Sequence, residues 1–126
     1  MNREIKFRGQ QINTKKWIHG YLYREKGLYL ICENIRYAEK EPILLDTVGQ
    51  FTGLHDKNGK EIYEGDIVKY RDSMGQHIEK VIFDKGCFYA GMHWGSSTRL
   101  APKLINTRIT EVIGNIYDNP ELLEGE

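Results

Sequence analysis

Apolar and polar residues alternate with a period of two along most of this chain, a pattern that commits it to strands rather than helices. Ile5-Lys6-Phe7-Arg8 alternates apolar and basic side chains. From Trp17 to Arg24 the alternation sets Trp17, His19, Tyr21 and Tyr23 on one face and Ile18, Gly20 and Leu22 on the other. Lys26-Gly27 reads as a turn and Leu28 to Glu33 as the returning strand, so the two runs predict a hairpin. The 3.6-residue recurrence of an amphipathic helix does not appear.

Asn34 to Tyr37 either extends that hairpin or turns away. Pro42 interrupts, because it has no N–H to give to a ladder. Val48 to Thr52 is strand-like with Gly49 inside it. Asp56-Lys57-Asn58-Gly59-Lys60 is a turn, since Asn and Gly accept the positive φ that tight hairpins demand. Glu64-Gly65-Asp66 is another turn and leads into a strand over Ile67 to Arg71. Asp72 to Gln76 joins it to His77–Asp84, and Lys85-Gly86 joins that strand to Cys87–Ala90. Gly91 to Arg99 reads as a loop, and Glu111 to Tyr117 as the last strand. Asn119-Pro120-Glu121 has the residue types of a helix start, with Asn as cap and Pro at the first position, but only a turn or two can follow.

The chain has 126 residues, enough for one domain with a core of its own. Lys+Arg and Asp+Glu number 18 each, so the net charge is zero. That balance argues against a protein whose main task is gripping nucleic acid, although it leaves room for a local basic patch. No apolar run is long enough for a membrane span, and the charged start Met1-Asn2-Arg3-Glu4 has no signal-peptide core. The expected location is therefore the cytosol, with no membrane partner. Cys32 and Cys87 lie in apolar strand-like runs and read as buried thiols rather than as a disulfide.

Three segments carry a family resemblance. The block Thr47-Val48-Gly49-Gln50-Phe51-Thr52-Gly53-Leu54, followed by Asp56-Lys57-Asn58-Gly59-Lys60-Glu61-Ile62-Tyr63-Glu64-Gly65-Asp66-Ile67-Val68, is similar to the central block of the YopX family. Arg3-Glu4-Ile5-Lys6-Phe7-Arg8 resembles that family's opening, and Val112 to Leu123 its ending. The resemblance implies a protein encoded by phages or prophages of low-GC Gram-positive bacteria, acting in the bacterial host cytosol. It implies no assigned activity. It also implies an all-β fold related to SH3-like barrels. The expected architecture is a barrel over residues 47–126, closed by the last strand, with residues 1–46 as an N-terminal β extension and a very short C-terminal helical turn. The whole is expected to form one compact unit.

Four groupings invite a functional reading. Asp56, Glu61, Glu64 and Asp66 could converge on a hard cation, but Lys57 and Lys60 dilute their charge and the spacing is not that of an EF-hand. Turn chemistry is the simpler account, and no metal or other cofactor is expected. Cys87 and His93 would need to meet in space to act as nucleophile and base, which sequence proximity does not establish. The segment around His93, Trp94, Ser96, Ser97 and Arg99 places an aromatic, hydroxyls and a guanidinium together, a set able to stack a base and hold a phosphate. The alternative is a hairpin whose Trp94 packs on the core. Trp17, Tyr21 and Tyr23 form an aromatic stripe that suits a core face, a subunit interface or a stacking platform for single strands.

No catalytic constellation emerges, so the expected function is non-enzymatic: a binding or accessory protein acting as a homo-oligomer, with a host protein as one class of partner. A small-molecule binder that sequesters a nucleotide signal is the alternative. A nucleic-acid-binding module is weaker, given the zero net charge.

Overall fold

The computed structural model describes residues 4–33, 40–84, 86–94 and 100–124. The chain divides into two compact units, Met1–Gly53 and Leu54–Glu126. Both are built from antiparallel strands, and the only helical pieces among the described residues are two 3-10 turns, Leu45–Thr47 and Pro120–Leu123. No helix among the described residues is long and apolar enough to cross a membrane.

The first unit contains β1 (Phe7–Gln10), β2 (Trp17–Glu25), β3 (Leu28–Cys32), β4 (Lys40–Pro42) and the start of β5 (Gly49–His55). Their order is β4-β3-β2-β1-β5. The β2–β3 hairpin forms where the sequence placed it, with Glu25 opposite Leu28. Lys26 (φ 49°) and Gly27 (φ 80°) both take positive φ in its turn, the backbone shape that matches the twist of paired strands. One face carries Ile18, Ile31 and Ile43, packed with Phe7, Leu22, Tyr29 and Val48. Pro42 sits on β4, opposite Leu30, at the end of the strand order, where its missing N–H is tolerated. Thr47 ties the 3-10 turn to β1: its hydroxyl accepts from the Gln10 N–H at 2.9 Å and donates to the Leu44 carbonyl at 2.6 Å.

The second unit takes over β5 at Leu54 and continues with β6 (Glu61–Tyr63), β7 (Asp66–Asp72), β8 (Gly75–Asp84), β9 (Cys87–Trp94), β10 (Leu100–Leu104) and β11 (Glu111–Asn115). The last five form a sheet in the order β10-β9-β8-β7-β11. Its core comprises Ile62, Val68, Tyr70, Val81, Ala90 and Val112, with Ile105 packed against them. Gly65 (φ 93°) makes the turn into β7; its N–H donates to the Val81 carbonyl and its carbonyl accepts from the Ile116 N–H, both at 2.9 Å.

Several expectations change here. β11 joins the sheet beside β7, and among the described residues no ladder links β11 to β10, so the pairings seen do not close the sheet into the expected SH3-like barrel. Gly91–Trp94 is strand, not loop: Trp94 pairs with Leu100, His93 with Ala101 and Met92 with Pro102. The partner strand β10 was hidden because Pro102 lies within it and its alternation is poor. β11 stops at Asn115, whose side-chain oxygen accepts from the N–H groups of Tyr117 and Asp118, both at 2.9 Å. Asn119 precedes the final 3-10 turn but does not cap it; its side chain turns back and accepts from the Asn115 N–H at 3.2 Å. Cys32 is buried as expected, whereas Cys87 is exposed because it starts β9 right after the Gly86 turn.

Candidate functional site

The second unit carries a cleft of about 290 Å³ lined by Lys57, Lys69, Tyr70, Arg71, Gln76, Arg108 and Ile109. Four of these seven residues are cations, and they come from three separate segments. Lys69 and Arg71 lie on β7, where they alternate with buried Val68 and Tyr70 and so project from the face opposite the core. Gln76 is opposite Arg71 in the β7–β8 register. Lys57 sits in the turn after β5, while Arg108 and Ile109 sit in the turn before β11.

Those two turns are fastened together, which brings Lys57 and Arg108 to one place. The Lys57 N–H donates to the Thr110 carbonyl at 2.9 Å. The Asp56 carboxylate does more. Its Oδ1 accepts from the N–H groups of Asn58 (2.8 Å) and Lys60 (2.9 Å), and its Oδ2 accepts from the Val112 N–H at 2.9 Å. Burial on its own would raise the Asp56 pKa. The three backbone N–H groups, with the charge of Lys60, outweigh that and hold the carboxyl below its ordinary value of 3.8. The 106–110 turn is braced from within: the Thr110 hydroxyl donates to the Asn106 carbonyl at 2.7 Å, and Asn106 Oδ1 accepts from the Arg108 N–H at 3.1 Å.

Beneath the cleft, the buried Tyr70 ring stacks on His77, with centroids 4.8 Å apart and planes at 26°. Burial, and behind it the negative charges of Glu79 and Asp72, push the Tyr70 phenol up to about 12. His77 Nε2 lies 2.8 Å from Asp72 Oδ1, which also accepts from the Met74 N–H at 2.9 Å. The one carboxylate seen in contact with a cleft cation among the described residues is Glu111, whose Oε1 is 3.9 Å from Lys69 Nζ; both side chains are about a third or more exposed. An ion pair this long and this wet contributes little to stability. Electrostatically, then, the cleft is cationic, with a neutral amide at Gln76 and an aliphatic wall at Ile109. Ammonium and guanidinium groups arranged this way bind oxyanions, the guanidiniums in bidentate fashion.

None of the described residues singled out from sequence lines this cleft. His93 and Trp94 occupy successive positions at the end of β9, and Ser96, Ser97 and Arg99 lie outside the described residues. In the first unit the Arg8 guanidinium covers the Trp17 ring at 4.6 Å, and Lys40 Nζ lies 5.1 Å from the Tyr23 centroid. Both rings are half-buried, while Tyr21 between them is 47% exposed. Asp56 and Asp66 spend carboxylate oxygens on backbone amides; Asp66 Oδ2 accepts from the Tyr63 N–H at 2.7 Å. The Glu61 carboxylate accepts from the Tyr63 hydroxyl at 2.9 Å. The cleft itself escaped sequence reading. Its one local signal was the pair of cations two apart at Lys69 and Arg71; Lys57 and Arg108 join them only through the fold.

The comparisons with known proteins bear on the fold and on the family separately. The chain is similar over 97% of its length to 99% of protein EF1440 from Enterococcus faecalis, known from its crystal structure, with a TM-score of 0.57 and 22% identity. At that identity the likeness speaks for the fold alone. No curated protein matches the chain. The family model for YopX protein matches residues 3–124, nearly the full length, and on that evidence the chain belongs to the YopX family.

Proposed function

We propose that this protein is a non-enzymatic binding protein that captures a phosphate-bearing anion in the basic cleft of its second unit. One observation carries this reading: Lys57, Lys69, Arg71 and Arg108, from three segments, line a single cleft of about 290 Å³. Groups of this kind hold and orient an oxyanion. In an accessory protein of a phage, as the family resemblance implies, capture of a host phosphorylated metabolite is a complete function.

Titrating inorganic tripolyphosphate at low salt tests the reading. At a hundredfold excess over Kd the ligand is expected to stabilise the protein by about 2.7 kcal/mol, seen as a rise in the unfolding midpoint that fades as salt is added. An unchanged midpoint at all concentrations would remove the cleft as a site. Self-association through the first unit is a second part of the reading, supported by the exposed Tyr21 on β2. Sedimentation velocity at micromolar concentration should then show a dimer or larger species, and a single monomer boundary would count against it.

A further inference from the structure

We infer that the ligand of this cleft is a compact molecule carrying two or three linked phosphates, of the nucleoside polyphosphate kind, rather than a lone phosphate or a nucleic acid strand. The inference rests on the anion-binding reading above and narrows it by charge, shape and lining.

Charge sets the lower bound. Four cations line the cleft, while Glu111 sits beside Lys69 and the charges of Glu79 and Asp72 act on Tyr70 at its floor. A monophosphate carries at most two negative charges, fewer than the cations on offer. A di- or triphosphate can engage more of them at once. The cations also come from three segments, two from β7 and one from each of the two turns that are fastened together. Successive phosphates of one short chain can meet them in turn.

Shape and surroundings set the upper bound. A volume of about 290 Å³ is at the small end of ligand sites and suits a single small molecule. A single strand of nucleic acid instead needs a groove that follows its backbone over several nucleotides. The charge of the unit argues the same way. Residues 54–126 hold nine Lys/Arg against twelve Asp/Glu, so four of the unit's nine cations are in the cleft while the unit as a whole is negative. A polyanion extending beyond the cleft would meet an unfavourable surface; a compact one would not.

The lining adds a contact for something other than phosphate. Ile109 is 36% exposed and offers an apolar wall. Gln76, opposite Arg71, offers an amide that both donates and accepts. Together they fit a sugar or base attached to the phosphate chain.

Calorimetric titration of the full chain with AMP, ADP, ATP, inorganic tripolyphosphate and a single-stranded oligonucleotide at one ionic strength decides the matter. ATP or ADP is expected to bind at least about tenfold more tightly than AMP, in line with an added charge-assisted contact per phosphate. The double variant Arg71→Gln, Arg108→Gln should flatten that ranking while its circular dichroism stays that of the parent, since both side chains are exposed. ATP binding more tightly than tripolyphosphate assigns the Ile109 and Gln76 wall to a nucleoside; equal affinity keeps the linked phosphates and overturns the nucleoside part of the inference. AMP binding as tightly as ATP overturns this inference and leaves the anion-binding reading standing, and so does an oligonucleotide that outcompetes ATP. If no probe binds at all, the anion-binding reading falls with it.

Discussion

Alanine at position 56 is expected to destabilise the second unit by about 3–4 kcal/mol, more than any surface substitution in the cleft. The substitution removes one carboxylate and orphans three backbone N–H groups, those of Asn58, Lys60 and Val112. Hydrogen bonds to a charged group are each worth about 1.5–3 kcal/mol, and buried donors left without partners add a desolvation penalty, with losses less than additive. Urea unfolding reads the loss, and amide hydrogen exchange locates it: the protons of Asn58, Lys60 and Val112 should exchange faster in the variant. The same change should weaken anion binding, because the two turns that carry Lys57 and Arg108 lose their fastening. The effect is pH-dependent with a definite sign. The folded-state carboxyl titrates below its ordinary value of 3.8. Its stabilisation is therefore complete above that value and is lost as pH falls through the lower folded-state one. The gap between parent and Asp56→Ala should be full at neutral pH and narrow progressively as pH falls below about 3.8. Equal stability at neutral pH would refute this role for Asp56.

The second large effect belongs to the first unit. A Cβ built on Gly20 would sit 2.2 Å from the Cys32 carbonyl oxygen and 2.9 Å from both the Cys32 carbonyl carbon and the Glu33 Cα. These are backbone atoms, so no side-chain rotation relieves the overlap; β2 and β3 would have to part. Gly20→Ala should cost about 3 kcal/mol or more, at the upper end of overpacking effects. Gly27→Ala is the control. Gly27 has φ 80°, but a Cβ added there would meet nothing within 4 Å, so only the left-handed backbone term of about 1–2 kcal/mol applies. Unfolding midpoints that rank parent above Gly27→Ala above Gly20→Ala would support this account. Equal losses for the two variants would show that backbone conformation, not the approach of β3, is what Gly20 answers.

What was legible in the sequence was local. Gly27 and Gly59 announce their turns because glycine takes positive φ without strain, and the strands between turns follow from alternation. What was not legible depended on residues far apart in the chain. Asp56 and Val112 meet across 56 positions. The sequence shows an Asp in a turn, which is correct, and carries no sign of the third hydrogen bond that holds the other turn in place. Closure of the sheet is also a matter of long-range pairing, and the pairings among the described residues run in an open order that does not close the expected barrel. The cleft shows the same limit in its charges. Zero net charge concealed four cations that the fold gathers from the 57, 69–71 and 108 regions. The aromatic stripe drew attention because Trp17, Tyr21 and Tyr23 share one strand, yet two of the three rings are covered by the unit's own cations.

The central claim is that the charges of the cleft, acting together, hold an anion. Calorimetric titration of tripolyphosphate into the parent protein, Arg71→Gln and Glu111→Gln tests it most directly, because the two variants must move in opposite directions. Arg71→Gln removes a binding cation and should weaken affinity about tenfold. Glu111→Gln removes the carboxylate that competes for Lys69 and should tighten it by about threefold, the scale of an exposed ion pair. Affinity unchanged in both variants, or weakened by Glu111→Gln, would contradict the account.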